Sequence, residues 1–381
     1  MTGRTTSPKN LIALDLLRFA AAFFVLTSHY FADFLLPQSG AVVIGHQIGD
    51  LARPAPFTSI ASYGWLGVEI FFVMSGYVIA MSAMASSAKT FAAKRFWRLW
   101  PTAFLCATIT FLAIIASGFW SDTLWLEWLR SATLYPLGRQ IDGVYWTLGV
   151  EIVFYTLAGL TIVISQRKDR ILWLGTLIGG ISLASHILIP SIAFSGTRIT
   201  ILLNLPFGAF FALGIALYHA HNRISLRLAI WSIPIWLATC IYVVGLRALD
   251  RFSNLPFAIT QGEAIIIFLS GALVVACAPF IQPFLARWLS VRLTALMGLM
   301  TYPLYLLHQT VGAIVIGALM RAGLSYYAAT LITIFCMLSL SWAIVAIAEP
   351  KMRQLCKVVF RKSGVNASPP SPARRLSSSL R

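Results

Sequence analysis

An arginine and a histidine stand at either end of FAAAFFVLTS, ten residues without a single charge, in LDLLRFAAAFFVLTSHY. On a helix, at ~100° per residue, the eleven-residue step from Arg18 to His29 comes to about 1100°, within roughly 20° of three full turns. Both therefore share one face, about 16 Å apart, and Asp15 lies near it three residues before Arg18. Polar groups sit in an apolar helix where they line a cavity, not where they touch acyl chains. A neutral imidazole can take a proton from a hydroxyl, so His29 is a candidate general base. The plainer readings are a hydrogen-bonded histidine at the interface and an arginine snorkelling to the nearer surface.

Other residues extend the pattern. LGVEI occurs twice, at Leu66–Ile70 and Leu148–Ile152, which places Glu69 and Glu151 at similar expected depth in the layer of His29. An intramembrane carboxylate is a functional candidate by default, and either could hold the imidazole in one tautomer; chance repetition in an apolar composition is the rival explanation. Arg95 and Arg98, in AKRFWRLWP, are spaced i, i+3 and point the same way from a helix, as two planar cations suited to phosphates. Alternatively they anchor a helix end in anionic lipid beside Trp97 and Trp100. Ser75 or Tyr77 of the SGY segment could donate to an oxyanion. His308, in TYPLYLLHQ, follows Pro303, whose missing N–H frees a carbonyl and can kink the helix toward a cavity. His219 and His221 are read as solvated. The five cysteines have no metal-type spacing, and neither a metal nor a disulfide is expected.

Apolar helices must carry these groups. Of 381 residues, 59% are hydrophobic and 11% charged, too few charges for a soluble domain. Apolar windows recur near 11–31, 62–83, 101–119, 143–164, 171–190, 199–218, 228–246, 260–278, 293–320 and 325–348, each long enough to cross about 30 Å of hydrocarbon. The expected fold is an all-α polytopic membrane protein of about ten transmembrane helices. The net charge of +17 does not point to nucleic acid, because it is segregated: one set of connections and both termini hold 21 Lys and Arg, the other set seven, with Arg18 intramembrane. The positive-inside rule puts both termini in the cytoplasm. The first window is too polar and long for a cleavable signal. Long connections are expected at 32–61 and 120–142 on the outer side and 82–100 on the inner. Residues 1–10 form a cytoplasmic N-terminus and 351–381 a basic, disordered tail rich in Ser and Pro, which leaves activity to the membrane unit at 11–350.

RFAAAFFVLTSH, GVEIFFVMSGYVIA, KRFWRLWP, VYWTLGVEIVFY, TYPLYLLHQ and AEP, in this order over ten spans, resemble the acyltransferase type 3 family of integral membrane O-acyltransferases. The resemblance implies that Arg18 and His29 are essential for acyl transfer and that Arg95 and Arg98 serve the acyl-CoA donor. On this reading His29, Glu69 and Glu151 are catalytic, Arg18, Arg95 and Arg98 bind acyl-CoA, and Asp15, Ser75, Tyr77 and His308 are accessory. Acetyl-CoA is the expected donor, used as a substrate and not permanently bound. The acceptor is a hydroxyl of a surface or exported glycan or glycolipid, and the location a bacterial inner membrane. A precursor or proton-coupled transporter is the alternative, and a scaffold leaves Arg18 and His29 unexplained.

Overall fold

The computed structural model describes residues 11–35, 42–49, 58–189, 198–252 and 260–354; residues 1–10, Cys356 and the rest of the expected tail lie outside this set, as do parts of the long connection at 32–61. Among the described residues there are helices and no strands. The principal helices are α1 (Ile12–Phe31), α2 (Leu66–Met84), α3 (Ala88–Ala116), α4 (Trp146–Ile164), α5 (Arg170–Leu188), α6 (Gly208–His221), α7 (Leu226–Phe252), α8 (Gln261–Trp288), α9 (Val291–Leu307), α10 (Thr310–Arg321) and α11 (Tyr326–Ala343). Among the described residues, eight stretches are long and apolar enough to cross a membrane, and α9 with α10, bent by 69°, makes a ninth if the pair is one span. The last of these runs through Pro350 to Gln354, past the boundary expected at 350.

The window at 199–218 is the exception. Its main helix, α6, has 14 residues and is therefore only about 21 Å long. It still returns the chain to the side it left, because Ser225, just beyond α6, donates to Asp169, just before α5, over 3.0 Å. The short length is tolerated because α6 does not face lipid: Gly208 through His219 are all buried, against α2, α5 and α7. His219, expected to be solvated, is fully buried and its Nδ1 lies 2.9 Å from the Ile215 carbonyl.

Close approach of α6 to α2 depends on Gly214, where an added Cβ would collide with the backbone of Val73 and come within 2.8 Å of the Tyr77 backbone nitrogen. Small residues at helix crossings allow such contact in membranes. Gly214→Ala should cost about 1–3 kcal/mol through overpacking, seen as a lower melting temperature in detergent; an unchanged melt would mean that the two backbones can separate freely.

The inner connection expected at 82–100 is not a loop. Between α2 and α3 only Ala85–Ser87 intervene, and α3 starts thirteen residues before Pro101. Ser87 caps it by accepting from the Thr90 N–H, and Phe91, Trp97 and Leu99 are buried along it. With the helix nucleated upstream and packed on one face, Pro101 removes one hydrogen bond and does not set a boundary. Arg95 and Arg98 thus sit on a rigid, continuous helix.

Candidate active site

Two cavities lie end to end between these helices. The first, of about 110 Å³, is lined by Arg18 from α1, Ser75 from α2, Arg95 and Arg98 from α3, and Glu151 and Tyr155 from α4. Arg18 donates to Asp15 over 3.1 Å, and Gly298 of α9 lets this pair approach, since a Cβ there would fall 2.7 Å from Asp15 Oδ1. Arg95 donates to Ser82 over 2.9 Å and lies over the Phe91 and Tyr155 rings, 5.6 and 5.8 Å from their centroids. The Tyr155 hydroxyl donates to Glu151 over 2.9 Å. Arg98 is exposed and has no hydrogen-bond or ion-pair partner among the described residues. Three guanidiniums against the Asp15 and Glu151 carboxylates give the pocket a cationic balance and planar donors that fit phosphate oxygens.

The second cavity, of about 640 Å³, is lined by His29, Glu69, Gln309, Trp65 and Arg247 among others. Val68 and Tyr305 line both cavities and form the wall between them. His29 therefore faces the far chamber while Arg18, eleven residues earlier on the same helix face, faces the near one, as the spacing implies.

The carboxylate that holds His29 is Asp33, not Glu69 or Glu151. Asp33 Oδ2 lies 3.0 Å from His29 Nδ1, and its other oxygen accepts from Arg251. Burial opposes charge on Asp33, but the bond to His29 and the neighbouring Arg251 guanidinium outweigh it and hold the carboxyl below the usual range. An ionised Asp33 accepts the Nδ1 proton, which leaves the lone pair on Nε2. Gln309 Nε2 lies 3.4 Å from the same Nδ1. Two donors cannot share a bond, and turning the amide by 180° exchanges its oxygen and nitrogen at no cost in shape. The oxygen then meets Nδ1 and the amide N–H group is free.

A broken helix brings Gln309 and His308 to this point. The break falls at His308 and Gln309, between α9 and α10, not at Pro303, after which α9 continues to Leu307. Asp142 stabilises the break by accepting from the Thr310 N–H over 2.9 Å and from the Val144 N–H over 3.1 Å. The Tyr30 hydroxyl donates to the His308 carbonyl over 2.7 Å. Side chains inserted into the backbone ladder, more than the proline, account for the bend. The His308 ring sits 5.1 Å from that of His29. Its Nδ1 is 2.8 Å from the Tyr305 carbonyl, so it carries the proton, and its buried Nε2 has no partner among the described residues.

The repeated LGVEI does not produce equivalent sites. Glu69 lies in α2 and Glu151 in α4, and the two helices are placed so that the same motif faces different cavities. Glu69 reaches the histidine cavity, fully buried, and pairs with Arg247 over 2.6 Å; Glu151 reaches the arginine cavity. Ser75 also lies in the arginine cavity, and Tyr77 lines neither, its hydroxyl lying 3.2 Å from His221 Nδ1. Neither is set to donate beside His29, where the amide of Gln309 is. Arg247 and Arg251 turn out to be ion-pair partners within α7 and not loop cations. Asp33 was within reach of sequence reasoning, because it follows His29 by four residues and shares its face. Gln309, Asp142 and the α7 arginines carry no local signal.

Comparison with known proteins bears on this arrangement directly. Residues 11–347 match the family described as an acyltransferase domain. The chain belongs to the acyltransferase type 3 family. Among curated relatives, Nodulation protein 10 of Rhizobium leguminosarum bv. viciae is 30% identical over 41% of this chain and 45% of its own length. An O-acetyl transferase of Shigella phage Sf6 is 28% identical over 39% and 45%. A putative peptidoglycan O-acetyltransferase, YrhL, of Bacillus subtilis (strain 168) is 25% identical over 66% and 44%. The chain spans less than half the length of these relatives. No solved structure matches.

Proposed function

We propose that this protein is a membrane O-acyltransferase that moves an acyl group, acetyl in the simplest case, from acyl-CoA to a hydroxyl of a surface or exported glycan or glycolipid. The observation that carries the reading is the abutment of two chemically different cavities, one with three guanidiniums and one with a His29–Asp33 pair, across Val68 and Tyr305. The acyl-CoA phosphates bind Arg95 and Arg98, and the pantetheine arm passes Arg18 toward Tyr305. The segregation of Lys and Arg supports a cytoplasmic arginine face, and the bacterial and phage relatives support a bacterial inner membrane as its location.

Direct transfer uses the groups already described. His29 Nε2 removes the proton of the acceptor hydroxyl as its oxygen attacks the thioester carbonyl. The tetrahedral oxyanion takes a hydrogen bond from the free amide N–H group of Gln309. Collapse breaks the C–S bond, and the imidazolium returns its proton to the departing thiolate. Transfer through an acyl-histidine uses the same residues with Nε2 as the attacking atom.

The test is acetylation of candidate glycans by purified protein in nanodiscs with labelled acetyl-CoA, beside mass spectrometry of surface glycans from cells with and without the gene. Labelled acetyl on a glycan hydroxyl is expected. Glycan movement across vesicles without acylation would establish transport in its place.

Asp33→Asn keeps the shape of the side chain but removes the charge that fixes the Nδ1–H tautomer and stabilises the imidazolium. Turnover should fall by about 10²–10⁴ with little change in acetyl-CoA affinity. Single-turnover transfer measures this, and a wild-type rate would make Asp33 only a partner for Arg251.

A further inference from the structure

The histidine cavity holds more unpaired polar atoms than its chemistry uses. Among the described residues, five buried side-chain nitrogen and oxygen atoms without a hydrogen-bond partner belong to residues lining this cavity: Ser28 Oγ, Trp65 Nε1, Glu69 Oε2, Arg251 Nε and one amide end of Gln309. A buried polar atom without a partner is costly, and a native structure keeps a cluster of them where something else completes the bonds. The charges of the cavity limit what that can be. Arg247 is committed to Glu69 and Arg251 to Asp33, and Asp250 adds a third carboxylate to the lining. An anion entering here meets guanidiniums already neutralised and carboxylates that repel it.

The walls narrow the choice further. Trp65, Trp146 and Phe207 line the chamber, and Arg247 lies over the Trp65 and Phe207 rings, 5.5 and 4.9 Å from their centroids. Aromatic surface beside a carboxylate acceptor, an indole donor and a hydroxyl matches a group that has both apolar C–H faces and hydroxyls that donate as well as accept. That is the chemistry of an uncharged sugar ring. A phosphate, sulfate or uronate matches neither the charge nor the acceptor atoms.

We infer that Ser28, Trp65 and Glu69 form a seat for one uncharged sugar ring of the acceptor, with Glu69 Oε2 accepting from a ring hydroxyl and Trp65 Nε1 donating to another, so that the enzyme selects neutral acceptors over acidic ones. The inference rests on reading this chamber as the acceptor side of an O-acyltransferase. The seat itself does not depend on acyl transfer and can be measured without it.

The experiment is saturation-transfer NMR on the protein in nanodiscs, with methyl glucoside and methyl N-acetylglucosaminide as neutral probes and methyl glucuronide as the acidic one. The neutral glycosides should bind, and the glucuronide at least about 10-fold more weakly. Glu69→Gln and Trp65→Phe should each weaken the neutral glycosides by about 10-fold, in line with a lost hydrogen bond. Acetyl-CoA affinity should not change in either variant. Trp65→Phe keeps the aromatic wall and every charge, so it tests the seat even if Glu69→Gln, which leaves Arg247 unpaired, fails to fold. Equal binding of the glucuronide, or unchanged glycoside affinity in Trp65→Phe, would overturn the inference. If wild type binds neutral glycosides as described but transfers no acetyl group to any of them or to surface glycans, the seat stands and the acyltransferase reading falls.

Discussion

Replacing His29 with alanine should give a protein that folds, inserts and binds acyl-CoA but does not transfer the acyl group. The loss expected for a general base is about 10²–10⁴ in rate, and more if Nε2 is acylated in the reaction. Donor binding is spared because His29 lines only the far chamber, whereas the three guanidiniums line the near one. Folding is spared because Asp33, the main partner of His29, keeps its ion pair with Arg251. Arg18→Ala provides the contrast: Arg18 lines the near cavity, proposed as the donor path, so both affinity and turnover should fall. Calorimetric titration with acetyl-CoA beside single-turnover transfer separates the two variants. Near wild-type transfer by His29→Ala would return the histidine to a structural role at the end of α1.

The double replacement of Arg95 and Arg98 with glutamine should act on the other substrate. A hydrogen bond to a charged group is worth about 1.5–3 kcal/mol, so loss of two should raise the KM for acyl-CoA on the order of 10²-fold, with little change in the KM for the acceptor. Arg98 should contribute at least its share, because among the described residues it has no hydrogen-bond or ion-pair partner to compete for it, whereas Arg95 is tied to Ser82 and lies over two rings. Lys89→Gln, in the first turn of the same helix, is the control and should change little. An unaltered donor KM in the double variant would mean that the pair anchors α3 in lipid headgroups.

Several features were legible from the amino-acid order because they are local. Apolar stretches of spanning length announce helices, since backbone groups in hydrocarbon must be satisfied within the segment. The shared face of Arg18 and His29, and the shared direction of Arg95 and Arg98, follow from 100° per residue and survive any packing of the helices. The ordered motifs likewise carried the family.

What the tertiary structure decided are the meetings between residues far apart in the chain. Whether Glu69 and Glu151 are equivalent depends on how α2 and α4 are placed against their neighbours, and packing turns one LGVEI to the histidine cavity and the other to the arginine cavity. The length of α6 depends on its being enclosed by protein, where no bilayer thickness constrains it. Pro101 looked like a boundary and Pro303 like a kink because proline breaks helices in isolation, yet α3 is nucleated well before one and α9 carries past the other to a break at His308 and Gln309. The break that matters arises from Asp142 and Tyr30, each more than 160 residues from the groups they bind. Arg247 and Arg251, among the seven cations that the sequence places outside the spans, become partners of Glu69 and Asp33 only because α7, packed against α6 and α8, ends beside them. A helix period determines which way a side chain points, and the burial of other helices against it determines what it finds there.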